Sequence, residues 1–138
     1  MGRYEFLPHG ADIRLRVEAA AMPEVFQSAL NGMNHLLKPG FCERNHPVSF
    51  EHNLSLASPD STCLLIDFLS EVLSLSHIHH GVFCGLKIEF VSENKIKATV
   101  SGSAVSGFDA DIKAVTYHEA NLHLNDQGQW ETVIIFDI

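Results

Sequence analysis

"VFCGLKIEFVSENKIKATVSG", residues 82–102, decides the architecture. Two runs rich in β-branched and aromatic residues flank Ser92, Glu93 and Asn94, and a short polar break between such runs marks a hairpin with antiparallel strands. Downstream, "DIKAVTYHEANLHL" (111–124) and "QWETVIIFDI" (129–138) flank "NDQG", a second hairpin with Gly128 at its end. Upstream lies "SPDSTCLLIDFLSEVLSLS" (58–76), where Asp60 or Ser61 offers an N-cap and Leu64, Leu65, Phe68, Leu69, Val72 and Leu73 recur at helical spacing. "HIHHG" (77–81) reads as the loop that follows this helix.

Nearer the start, "PVSFEHNLSLA" (47–57) alternates as a strand. "MPEVFQSALNGMNHLLKPG" (22–40) carries Pro23 in a first helical turn, an apolar stripe from Val25 to Leu37, a weakening Gly32, and a "KPG" stop. "DIRLRVEA" (12–19) sets Ile13, Leu15 and Val17 against Arg14, Arg16 and Glu18, the period of two of a half-buried strand. The order is β-α-β-α-β-β-β-β. With the strands gathered toward the C-terminus, this predicts an α+β fold: two helices packed on one face of a mainly antiparallel sheet, in one domain spanning 1–138.

A chain of 138 residues is long enough to bury roughly 68% of its unfolded surface. A formal charge of −8, with nine Lys and Arg that never cluster, argues against direct grip on RNA or DNA, which needs a basic field. Cys42, Cys63 and Cys84 are widely spaced, as expected of free thiols in a reducing compartment. The N-terminus shows no signal-peptide or myristoylation pattern and no stretch reaches membrane-spanning length, so a cytoplasmic protein is expected.

The chemistry-bearing residues cluster in a few segments. His9 and Asp12 stand in "LPHGADIRLRV", where a Pro-Gly loop enters a strand; such residues point at a ligand, or Asp12 simply caps a turn. Asp137 and the carboxylate of Ile138 end the last strand. Should the first and last strands be neighbours, these three acids converge, and their repulsion is relieved by a hard divalent cation such as Ca²⁺, Mg²⁺ or Mn²⁺. A solvated strand end is the plainer alternative. Lys113 in "DIKAVTYHEANLHL" is either a solvated strand lysine or a cation set to balance those acids or meet a phosphate. His77, His79 and His80 are spaced so that they could bind a soft or borderline metal, but with no Cys or carboxylate near in sequence the helix C-terminus reading is preferred. Asp67, with Glu71 one turn on, is either a partly buried acid or, as preferred, a solvated helix edge. No phosphate-binding loop, nucleophile elbow or zinc-protease motif is present.

In this order and spacing, "YEFLPHGADIRLRV", "LLIDFLSEVLSL", "IKAVTYHEANL" and "WETVIIFDI" resemble the archease family over nearly the whole chain. The resemblance implies a small acidic cofactor protein, not itself an enzyme, for an RtcB-type RNA ligase of tRNA splicing. Such proteins promote guanylylation of the ligase and its repeated turnover. It further implies metal ligation by Asp12, Asp137 and the Ile138 carboxylate, and an activating role for Lys113; His9 and His118 are taken with Lys113 as candidate partner-contact residues. Two departures stand out: Gly10 replaces the family's usual Thr, and "SAVSGFDAD" shortens the loop before Ile112. The readings from other classes are a metal-dependent hydrolase using Asp12 and Asp137 with His9 or His118 as base, and a metal-free chaperone-like binding module.

Overall fold

A computed structural model of the chain describes residues 2–7 and 12–138. The elements run β1 (Arg3–Leu7), β2 (Ile13–Ala19), α1 (Met22–Leu37), a 3₁₀ turn (Phe41–Glu43), β3 (Phe50–Ala57), α2 (Ser61–His79), β4 (Gly81–Val91), β5 (Lys95–Ala104), β6 (Ala114–Thr116), β7 (His123–Leu124) and β8 (Trp130–Asp137). The fold is α+β with antiparallel pairing throughout. Its strands divide between two sheets. One has the order β1-β2-β8-β6, with β7 also on β8, and the other β3-β5-β4.

Both helices share one core with both sheets. In α1, Val25, Phe26, Ala29, Leu30, Met33 and Leu37 are fully buried, the face set out by their spacing. Gly32 has a packing reason: a Cβ there would stand 2.5 Å from a methyl of Leu15, so its absence lets the helix settle on β2. Helix α2 begins where the Asp60 carboxylate accepts the Cys63 N–H at 2.8 Å. Phe68 meets Phe26 of α1 edge-on at 5.3 Å, and burial of each such ring stabilises by roughly 2–3 kcal/mol. Contrary to the sequence expectation, α2 is long and apolar enough to cross a membrane, with 19 residues at mean hydropathy 1.3. Half of that span is buried in the core, which accounts for its apolar character.

Further differences from the sequence reading have physical causes. Strand β1 was not expected; it is a mostly exposed edge strand whose register is set by β2. Residues 111–124 do not form one strand, because Glu119 takes a left-handed conformation (φ 62°) that separates β6 from β7. Helix α2 continues through His79, ending on left-handed His80 (φ 51°). The thiols are not all free. Cys42, in the 3₁₀ turn, and Cys84, on β4, form a disulfide with Cα atoms 5.5 Å apart, leaving Cys63 reduced. Packing of α1 against β4 brings the pair together across 42 residues of sequence.

Candidate functional site

Strand β8 lies between β2 and β6, and its register with β2 aligns acids at both of its ends. Along β8, Thr132, Ile134 and Phe136 turn into the core, while Glu131, Val133, Ile135 and Asp137 occupy the other face. Glu131 lies directly opposite Glu18. Six residues on, the same register carried one step past the Ile13–Phe136 pair sets Asp12 opposite Asp137. One sheet face thus holds two carboxylate pairs, one at each end.

The glutamate pair has cations of its own. Arg16 Nε donates to Glu131 at 2.6 Å and its Nη2 reaches Glu18 at 3.2 Å. Arg3 Nε donates to Glu18 at 2.8 Å, and the Asn125 amide adds a hydrogen bond at 2.7 Å. Glu18 is only 7% exposed. The hydrogen bond from Arg3, reinforced by Asn125 and the charges of Arg3 and Arg16, outweighs burial and lowers its pKa below the ordinary 4.5.

No comparable compensation reaches the aspartates among the described residues. Among the described residues, neither the Asp12 nor the Asp137 side chain has a hydrogen-bond or ion-pair partner. The next cation on this face, Arg14, is engaged with Glu119 at 2.6 Å. Its Nε is buried without a partner among the described residues. On the opposite flank of β8, the Lys113 main-chain N–H donates to the Asp137 carbonyl at 2.7 Å. The β6–β8 register, carried one step past Ala114–Asp137, sets Lys113 across from Ile138. Both Lys113 and Ile138 are exposed. Asp12, Asp137, Ile138 and Lys113 therefore gather at one sheet end, on three adjacent strands.

Among the described residues, no three His, Cys, Asp or Glu side chains come close enough to hold a metal. A cation here needs main-chain oxygen besides Asp12 and Asp137. An all-oxygen donor set at the open end of a sheet suits Ca²⁺, Mg²⁺ or Mn²⁺, and not Zn²⁺ with its preference for nitrogen and sulfur.

His9 and Gly10 lie outside the described residues. His118 is exposed in the turn after β6, and this turn is clamped on both sides. Glu119 is tied to Arg14 of β2. Tyr117 donates a short hydrogen bond to Asp67 of α2, which also accepts the Ser58 hydroxyl at 2.5 Å. Asp67 is thus a partnered anchor and not a merely solvated helix edge. Donating to a carboxylate holds the Tyr117 phenol in its protonated form, pushing its pKa up to about 12, with desolvation adding to the effect. The sequence reading missed Arg14 and Glu119, whose partnership joins residues 105 positions apart.

A model of the archease protein family (MTH1598/TM1083) matches residues 4–138. The chain belongs to the archease family. The protein archease of Methanosarcina acetivorans is 34% identical over 147 aligned residues, covering 99% of this chain and 96% of the relative. That of Methanosarcina mazei is 32% identical over 144, with the same coverage. Among solved folds, the solution structure of Methanobacterium thermoautotrophicum protein 1598 aligns with TM-score 0.76 at 22% identity, over 98% of each chain. The crystal structure of a Thermotoga maritima archease, described as a possible chaperone, aligns with TM-score 0.65 at 19% identity, covering 96% of this chain and 94% of its own.

Proposed function

We propose that this archease-family protein is a non-enzymatic activator of an RtcB-type RNA ligase in tRNA splicing, promoting ligase guanylylation and multiple turnover. One observation carries the reading: among the described residues, the carboxylate pair at the Asp137 end of β8 lacks the cations that neutralise the pair at the Glu131 end. Asp12, Asp137 and the Ile138 α-carboxylate would hold a Ca²⁺, Mg²⁺ or Mn²⁺ ion. Bound there, the ion supplies fixed positive charge and coordination positions open to oxygen donors. Lys113 extends a flexible cation from the same sheet end, suited to a phosphate or acidic group on the partner. The clamps on Tyr117 and Glu119 hold the intervening His118 turn as a firm edge of this surface. The net charge of −8 disfavours direct RNA binding and directs the contact to the ligase.

A cytoplasmic setting goes with this reading, although disulfides such as Cys42–Cys84 are uncommon there. Thiol counting on protein taken from cells reports its oxidation state.

The test is a guanylylation assay with the cognate ligase and GTP. Catalytic amounts of the wild-type protein should speed formation of the guanylylated ligase, while the protein alone neither joins nor cleaves RNA. Lys113→Ala should abolish most of the acceleration while changing stability by no more than about 1 kcal/mol, as for an exposed side chain. Appending residues after Ile138 should weaken metal binding and activation together. Equal ligase turnover with and without the protein would overturn the assignment. A metal-free chaperone-like role, suggested by the description of the Thermotoga relative, requires instead that Asp137→Asn retain full activity in chelator.

A further inference from the structure

The HIHH segment divides in a way that leaves one imidazole aimed away from everything above. His77 and His79, two positions apart on a helix, point in different directions. His77 Nε2 lies 3.3 Å from the Ile112 carbonyl and its ring packs beside Phe108. His79, in the last turn of α2, faces the other sheet and meets His52 of β3, with the two Nε2 atoms 2.8 Å apart. The ring centroids are 4.8 Å apart at 50°. Phe50 lies 5.0 Å from His79. Phe83 lies 6.3 Å from each imidazole. Aromatic rings therefore back the pair, and both histidines remain partly exposed on their open side.

Two nitrogen lone pairs cannot meet at this distance without a proton or a cation between them. We propose that His52 and His79 form a two-imidazole site for a borderline transition-metal ion, with Zn²⁺ as the ion that defines it. Tetrahedral Zn²⁺ with bonds of about 2.0–2.1 Å sets two ligand nitrogens about 3.3 Å apart. The rings need separate by only about half an ångström from their 2.8 Å contact. Each imidazole comes from a different element, so the ion links the end of α2 to β3. Protein supplies two ligands, leaving the remaining positions to water or to a donor on another molecule. The site differs in kind from the aspartate end of β8. Imidazole nitrogen selects Zn²⁺, Ni²⁺ or Cu²⁺, whereas carboxylate oxygen selects Ca²⁺, Mg²⁺ or Mn²⁺.

Untagged full-length protein with its disulfide intact is titrated with Zn²⁺, followed by calorimetry and by imidazole NMR signals. The expected result is one tightest-bound Zn²⁺ per chain, with the His52 and His79 signals shifting together. His52→Gln and His79→Gln should each weaken that binding at least tenfold. Asp137→Asn should leave it unchanged, and excess Ca²⁺ should not compete. If Zn²⁺ leaves both signals of the wild-type protein unmoved, or the Gln variants bind as tightly as wild type, the pair merely shares a proton and the site does not exist. Because the NMR arm uses the wild-type protein, it decides the matter even if a variant folds poorly.

Discussion

At the Trp130 end of β8, Glu131 and Glu18 face each other and Arg16 closes both, with Arg3 and Asn125 completing the set around Glu18. At the other end, Asp137 closes β8 and Asp12 stands one residue before the Ile13–Phe136 pair, neither side chain with a partner among the described residues. The backbone treats the two ends alike, but the side chains do not. Like charges set side by side are tolerated where the protein supplies counter-charge, and where it does not they repel. That difference separates an acidic pair whose charge the fold neutralises from one whose charge the described residues leave unanswered.

Removing the counter-charge should have the largest effect. Arg16→Met leaves two facing glutamates, one of them nearly buried, and should lower the melting temperature by about 4 °C, the shift expected of roughly 1 kcal/mol. No change would mean that the glutamate end needs no internal cation and that the two ends do not differ as described. Next in size is a pair of neutralisations measured by thermal melts in chelator. Glu131→Gln should destabilise the protein and Asp137→Asn should stabilise it, each by less than about 1 kcal/mol. Shifts of the same sign for both would break the contrast.

Acid titration sharpens it further. The Glu18 pKa is lowered in the folded protein, so its contribution is fully present above the ordinary value of 4.5 and is lost as pH falls through the depressed one. Arg3→Met should reduce the loss of stability on acidification below that value, because less is left to lose. Asp67 tests the same principle with a neutral donor. The Tyr117 hydrogen bond contributes below the phenol's ordinary pKa of 10.0 and is lost as pH rises from there through about 12. In a difference absorbance titration against Tyr117→Phe, Asp67→Asn should bring this tyrosine back toward 10.0. The accompanying stability change should be the smallest of the set, since Tyr117 is 57% exposed.

What the sequence revealed follows from the range of the interactions concerned. Helices α1 and α2 were legible because their apolar faces and the Asp60 cap are local patterns. The convergence of Asp12 and Asp137 could be anticipated only as a consequence of neighbouring first and last strands. The structure supplies it through β2, which follows the unexpected β1 and pairs with β8. Edge strand β1 was missed because its alternation is short and mostly exposed. The left-handed Glu119 is invisible to a period-two pattern, so residues 111–124 read as continuous. Arg14–Glu119, Tyr117–Asp67, His52–His79 and Cys42–Cys84 all join positions distant in sequence, where no spacing rule applies.

Calorimetric titration of Ca²⁺ and Mn²⁺ into three proteins, wild type, Glu131→Gln and Asp137→Asn, tests the difference between the two ends most directly. Each variant removes one charge from one end of the same strand, so net charge is matched and only location differs. The expected result is one ion per chain bound with equal affinity by wild type and Glu131→Gln, and at least tenfold more weakly by Asp137→Asn. Binding by Asp137→Asn as tight as wild type would contradict the assignment of the Asp137 end as a cation site.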